Sequence, residues 1–328
     1  MLRCSWNPRA DSLPNGATGL RHPSEVSGRV PGRDRLPRLP RSRTALRHYA
    51  AVSVPAFAAS RLLDRLVRPR IYLGDHILMI RTIFGHVLYL DTRDDSVSPA
   101  LLLRGAWEAH VTRVMLRLLR PGMRVVEVGA NVGYYTILAA SCVGPTGSVI
   151  AFEPNPAIAE RLRRAVVVNG YNWWTQVVET AVADREGQVT LHALARHQGS
   201  SSLARQGADV LEGWGEVPHP LTVPATTLDA FLGPDPSLVD LLKIDAEGWE
   251  PAIFDGMRGL LARSPHLRAV IEFIPALVAN AGRDAGAFLD TLAGLGFHIE
   301  AIAARGRLRP TTRAQLLATP CSELLLSR

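Results

Sequence analysis

The stretch VVEVGANVGYYT, residues 125–136, places an acidic residue inside an apolar run, then a glycine, three residues and a second glycine. An apolar run of this length reads as a strand. Because strand side chains alternate, Glu127 and Gly129 lie on the same side of it. Gly129 and Gly133 allow the backbone to turn tightly and to approach a ligand closely, and a helix starting near Val132 presents free amide groups there. Strand, glycine turn and helix together form the opening unit of a doubly wound sheet, in which ligands bind beyond the carboxyl ends of the strands.

Working outward, the same alternation continues to the C terminus. GSVIAFEP reads as a strand, PAIAERLRRAVVVNG as a helix and TQVVETAVA as a third strand. DLLKID is a fourth strand, EPAIFDGMRGLLAR a helix, LRAVIEFIP a strand and AGAFLDTLAGLG a helix. FHIEAIA and SELLLSR close the chain as an antiparallel pair. Strands alternating with helices of this length imply an α/β fold with a parallel sheet covered on both faces. Between the third and fourth strands, QVTLHAL and LTVPATTLDAFL predict a hairpin insertion, and the polar, Gly-rich tract between them is a candidate lid or substrate loop.

Upstream, IYLGDHILMIRTIFGHVLYLD reads as short strands broken at Gly74 and Gly85, and AWEAHVTRVMLRLLRPG as an amphipathic helix ending at Pro121-Gly122. Three regions follow: an Arg/Pro-rich tail expected to be disordered over residues 1–47, an N-terminal helical and hairpin cap over 48–120, and the main domain over 121–328. The 328 residues are 47% apolar, enough for a sizeable core. Residues 1–50 hold ten arginines against Asp11, Glu25 and Asp34, which accounts for the whole net charge of +7; the rest of the chain is neutral. The high pI therefore belongs to the tail and argues against a nucleic-acid-binding body. Cys4, Cys142 and Cys321 show neither a disulfide framework nor a zinc-ligand spacing, which fits a reducing, cytoplasmic setting. No apolar run reaches the roughly 20 residues of a membrane span.

Chemistry enters at the strand ends. The second strand ends in FEPN, which puts Glu153 where a carboxylate accepts hydrogen bonds from both ribose hydroxyls. A dinucleotide site wants a glycine where this chain has Asn131, and a pyrophosphate gains nothing from Glu127 beside it. A cofactor bearing a sulfonium and an ammonium does. The pattern favours S-adenosyl-L-methionine, with an NAD-dependent oxidoreductase and a non-catalytic nucleoside-binding module as the alternatives. In LLKIDAEGWE, Lys243 and Asp245 share one side of the fourth strand and Ile244 the other. Of 37 basic residues, 36 are arginine and only Lys243 is lysine, so this position calls for a compact ammonium rather than a planar guanidinium. A positioned carboxylate such as Asp245 or Glu272 could remove a proton from a reacting group. Asp245, Glu247 and Glu272 could instead share a divalent metal, but no spacing demands one and none is expected. His192, His197 and His219 near the insertion are read as solvated or structural.

The segments VVEVGANVGYYT, VIAFEPNP, DREGQVTL, SSL, TTLDAFL, LLKIDAEGWE and VIEFIP, in this order, resemble the FkbM family of S-adenosylmethionine-dependent methyltransferases from about Ile77 to the C terminus. The resemblance implies a class I methyltransferase (Rossmann-like) fold, with a seven-stranded sheet whose last strand is antiparallel. It also implies O-methylation of a hydroxyl on a small acceptor, a sugar, glycoconjugate or secondary metabolite. Carried across, Glu127, Gly129, Asn131, Gly133 and Tyr134 would line the methionine end of the cofactor. Glu153 would hold the ribose, Pro154 and Asn155 would shape the adenine edge, and Ala181 and Asp184 would border the adenine.

Overall fold

The structure, a computed structural model, describes residues 69–234 and 239–328. The tail expected over 1–47 and the first part of the cap lie outside these residues. The described chain starts with an antiparallel three-stranded sheet, β1 (Arg70–Gly74), β2 (Ile77–Arg81) and β3 (Val87–Asp91). Two helices follow, α1 (Ser98–Arg104) and α2 (Ala109–Leu118). On α2, Val111, Val114, Met115 and Leu118 are buried, at the spacing of one helical face.

The main domain runs β4 (Arg124–Val128), α3 (Tyr134–Val143), β5 (Ser148–Phe152), α4 (Pro156–Val168), β6 (Thr175–Val178) and β7 (Ala181–Val182). An insertion comprises β8 (Gly187–Ala193), α5 (Ala208–Trp214) and β9 (His219–Thr226). Then come α6 (Leu228–Leu232), β10 (Leu241–Ile244), α7 (Glu250–Asp255), α8 (Arg258–Arg263), β11 (Arg268–Phe273), α9 (Pro275–Asn280) and α10 (Ala285–Gly294). The chain finishes with β12 (His298–Ala303), β13 (Arg307–Pro310), α11 (Arg313–Ala318) and β14 (Ser322–Ser327).

The large sheet has the order β13-β12-β14-β11-β10-β4-β5-β6. β10 pairs in parallel with both β4 and β11, and β5 with both β4 and β6. β14 slots antiparallel between β11 and β12. From central β4 the chain winds first toward β5 and β6 and then returns to β10 and β11 on the other side. The reversal leaves a crevice at the carboxyl ends of β4 and β10. This is the class I methyltransferase fold, preceded by a small β/α cap and carrying a hairpin insertion before β10. One strand exceeds the expected seven: β13, a short exposed edge strand ending in Pro310, pairs with β12. Its sequence, RLRP, has the charge and proline that blunt sheet edges, so it does not read as a strand.

Each face of the sheet buries its own core. Val125, Val149, Ala151, Leu241 and Val270 pack beneath α2, α3 and α4, while Val126, Val128, Phe152, Leu242 and Ile244 pack beneath α7, α8 and α10. Glu127 therefore sits on the α3 side, between Val126 and Val128 that face the other way. Two expected elements are broken. The third strand splits because β7 leaves the large sheet to pair with β9 in a second, three-stranded sheet. The helix expected over 250–263 divides into α7 and α8 at Gly256, where a Cβ would collide with the Ala183 carbonyl oxygen. Asp229 then caps the new helix, accepting from Gly259 N at 2.7 Å and Leu260 N at 2.6 Å.

Candidate active site

A cleft opens at the crevice. Its floor is the turn after β4. Gly129 has φ +79°, and a Cβ there would fall inside contact distance of the Asp245 carbonyl oxygen, so only glycine lets the ends of β4 and β10 come this close. The approach is fixed by Asp245 N donating to the Val128 carbonyl at 3.0 Å. Asn131 takes a left-handed φ of 49°, which its side chain tolerates by accepting from Val132 N at 2.7 Å.

Two buried carboxylates face this floor. Glu127, 3% exposed, accepts from Thr136 Oγ1 at 2.6 Å and stands in register beside Lys243 on β10. Burial pushes its carboxyl up to about 7, against the pull of Lys243 and Thr136. Glu153, 6% exposed, accepts from Asn131 N and Asn155 N, both at 2.9 Å. Burial raises it also to about 7, with the two amides opposing. Each Glu153 oxygen keeps a lone pair for a further donor.

Beyond them lies a carboxylate cluster around one cation. Lys243 Nζ donates to Asp245 Oδ2 at 2.9 Å and lies 4.7 Å from the centre of the Tyr135 ring. Burial alone would lower the lysine; Asp245, Glu108 and Glu127 reverse this and raise it above its ordinary range. Oxygens from Asp245, Glu247 and Glu272 lie within 4.8 Å of one another, as do oxygens from Glu108, Glu272 and Glu323. Burial, and then repulsion from Asp245, Glu250 and Glu108, pushes Glu272 up to about 9. Glu108 and Glu247 are raised by burial and then by the charge of a neighbouring acid, Asp245 and Glu272 respectively.

Of the residues singled out by sequence, the cleft is lined by Glu127, Gly129, Asn131, Tyr134, Glu153, Pro154, Ala181, Lys243, Asp245 and Glu272. Three stand off its lining. Gly133 heads α3 and packs against Leu162; Asn155 caps α4 by accepting from Ala157 N; Asp184 is paired with Arg283 at 2.8 Å. Sequence reading passed over Glu108 and Tyr135, joined by a 2.9 Å hydrogen bond, as well as Glu323, whereas the Ser200–Ser202 wall belongs to the tract expected to be a lid or substrate loop. Glu108 comes from the cap, in a left-handed turn at the head of α2, and only the folded chain brings it to β10.

The family profile described as Methyltransferase FkbM domain matches residues 127–299, more than half of the chain. The chain belongs to the FkbM methyltransferase family. The scope of the likeness needs correcting, however. The FkbM match begins at Glu127 rather than near Ile77 and ends at 299 rather than at the C terminus, and other similarities point outside FkbM, to class I methyltransferases at large. A protein-L-isoaspartate O-methyltransferase of Methanopyrus kandleri is 38% identical over 71 residues, which are 21% of this chain and 31% of that protein. A protein of the same description from Hyperthermus butylicus is 30% identical over 135 residues, 35% of this chain and 54% of that one. The chain thus spans about a third to a half of these relatives. Among solved structures, an S-adenosylmethionine-dependent O-methyltransferase of Thermotoga maritima aligns with a TM-score of 0.39 and 14% identity, over 79% of this chain and 85% of that one. An O-methyltransferase of Streptomyces achromogenes, in complex with S-adenosylmethionine, aligns with a TM-score of 0.36 and 18% identity, over 67% and 78%. Among the described residues, no helix is long and apolar enough to cross a membrane.

Proposed function

We propose that this chain transfers a methyl group from S-adenosyl-L-methionine to a hydroxyl of a small acceptor, a sugar, glycoconjugate or secondary metabolite. The observation that carries the reading is the pair Glu127 and Glu153, buried at adjoining strand ends and lining one cleft floored by the Gly129 turn. The donor set fits the cofactor. Two carboxylates and turn amides suit a ligand that is cationic at one end and hydroxylated at the other. They suit a pyrophosphate poorly, which disfavours the dehydrogenase alternative.

When bound, S-adenosylmethionine supplies an electrophilic methyl carbon. The remaining work falls to the chain. Glu127 holds the cationic amino-acid end, with Thr136 fixing its carboxylate. Glu153 takes the ribose hydroxyls on its remaining lone pairs. Asp245, oriented by Lys243, accepts the acceptor's proton, a task worth about 10²–10⁴ in rate. Glu272, pushed up to about 9, keeps its own proton at neutral pH and so donates a hydrogen bond to the acceptor rather than serving as base.

The test is incubation with S-adenosylmethionine and pools of small hydroxylated metabolites or glycans, read by mass spectrometry. Formation of S-adenosylhomocysteine together with a product heavier by one methylene unit supports the reading. Turnover of a nicotinamide cofactor with no S-adenosylhomocysteine formed would overturn it.

A further inference from the structure

One wall of the cleft has no role in the account so far. Gln198–Ser202, within the insertion loop after β8, lines the cleft together with Ser96 and Val97, which follow β3. These two segments are about a hundred residues apart in sequence. They are joined through Asp91 and Asp94, neither of which lines the cleft, and beside them Asp95 pairs with Arg196 at 2.5 Å.

Asp94, 5% exposed, accepts five hydrogen bonds. Its Oδ2 takes Val97 N at 3.1 Å and Ser98 N at 2.7 Å; its Oδ1 takes Ser96 N at 3.1 Å, Ser96 Oγ at 2.5 Å and, across the gap, Gln198 N at 3.2 Å. Ser96 Oγ in turn accepts from Gly199 N at 3.0 Å. The approach is close: a Cβ on Gly199 would lie 2.9 Å from a Val97 methyl. Asp91, 1% exposed, accepts from Gln198 Nε2 at 3.2 Å and Arg161 NH1 at 3.3 Å, while Arg161 NH2 donates to Gln198 Oε1 at 2.5 Å. Arg161 rises from α4, the helix that starts just after Glu153. At the other end of the wall, Ser202 Oγ donates to the Glu247 carbonyl at 2.8 Å.

We infer that Asp94, assisted by Asp91, is a positioning residue that clamps the Gln198–Ser202 segment against the cofactor cleft, so that retention of the cofactor depends on a contact made from the N-terminal cap. A buried carboxylate that accepts five donors is a strong local organiser, and removing it leaves those amides without partners in a site with little access to water. One of the five bonds crosses to the wall directly and a second reaches it through Ser96, while the other three hold the turn from which the wall is clamped. Both aspartates lie outside the residues that match the family profile.

The inference rests on the proposed function, and the experiment separates the two. S-adenosylhomocysteine binding to the full chain is measured by calorimetry and stopped flow for wild type, Asp94→Ala, Asp94→Asn and Asp91→Asn, with hydrogen–deuterium exchange on each. If wild type does not bind, the functional reading fails. If it binds, the clamp requires Asp94→Ala to raise the Kd about tenfold or more, chiefly through faster dissociation. It also requires faster exchange in residues 196–202 with β4 and β5 unchanged. Asp94→Asn, which keeps one acceptor oxygen, falls between alanine and wild type, and it stands in should the alanine variant not fold. Affinity within twofold of wild type despite a loosened wall, or weakened binding with no change in the exchange of 196–202, would overturn the inference.

Discussion

Replacing Glu127 with glutamine should strengthen the ligand-free fold while weakening the site, and the structure sets the size of the effect. In the unfolded chain this carboxyl ionises near 4.5; in the fold, burial holds it up to about 7. Below the lower value both states are protonated and nothing is lost. Between the two, the unfolded chain releases its proton first, so stability falls as pH rises, and above about 7 the loss is complete. Each tenfold difference in proton affinity is worth about 1.4 kcal/mol, so the full penalty is about 3 kcal/mol. Glutamine carries no charge and keeps an oxygen for Thr136, but it deprives Lys243 of one of its anionic neighbours. The net gain expected for Glu127→Gln is about 1–2 kcal/mol at about pH 8.5, vanishing near pH 5, by urea unfolding without ligand. S-adenosylhomocysteine affinity should fall at least about tenfold, as expected when a charge-assisted hydrogen bond is lost. A variant that is less stable at both pH values, or a gain that does not depend on pH, would refute the reasoning.

Four other perturbations follow from the geometry. Gly129→Ala should cost about 2–4 kcal/mol in urea unfolding, because its Cβ would press on the Asp245 carbonyl at a left-handed φ; a cost under about 0.5 kcal/mol would mean that β4 and β10 need not meet there. Asp245→Asn should lower the methylation rate at least about a hundredfold while leaving S-adenosylhomocysteine affinity within a few-fold, and an unchanged rate would remove it as the base. Lys243→Arg should reduce activity at least about tenfold, since a planar guanidinium does not fit between the Tyr135 ring and Asp245; full activity would show that any cation serves. Glu153→Gln should weaken S-adenosylhomocysteine about ten- to a hundredfold, with a smaller loss for the 2′-deoxy analogue; equal losses for both ligands would place the ribose elsewhere.

The parts of the fold that were legible in sequence are those fixed by period and by glycine. Glu127 within an apolar run, Gly129, and the Lys243–Ile244–Asp245 alternation each fix a side-chain direction over a few residues, and the structure places all of them as the strand period requires. The hairpin insertion was visible for the same reason. What escaped depends on contacts across the chain. Glu108 belongs to a turn whose local sequence, AWEAH, reads only as a helix start, and its place beside Tyr135 and Glu272 follows from how the cap packs. Glu323 faces Glu272 because β14 inserts antiparallel beside β11 in that register, which no local pattern in SELLLSR announces. Gly256, where the expected helix splits, likewise answers to a long-range contact, since a Cβ there would collide with the Ala183 carbonyl.

The central claim, that two acids from adjoining strands converge on one adenosyl-binding hollow, is tested most directly by calorimetric titration of the full-length wild-type chain with S-adenosylhomocysteine, alongside Glu127→Gln and Glu153→Gln. The account requires saturable one-to-one binding to the wild type, weakened separately by each substitution. Absence of binding at millimolar ligand, or binding that neither substitution alters, would contradict it.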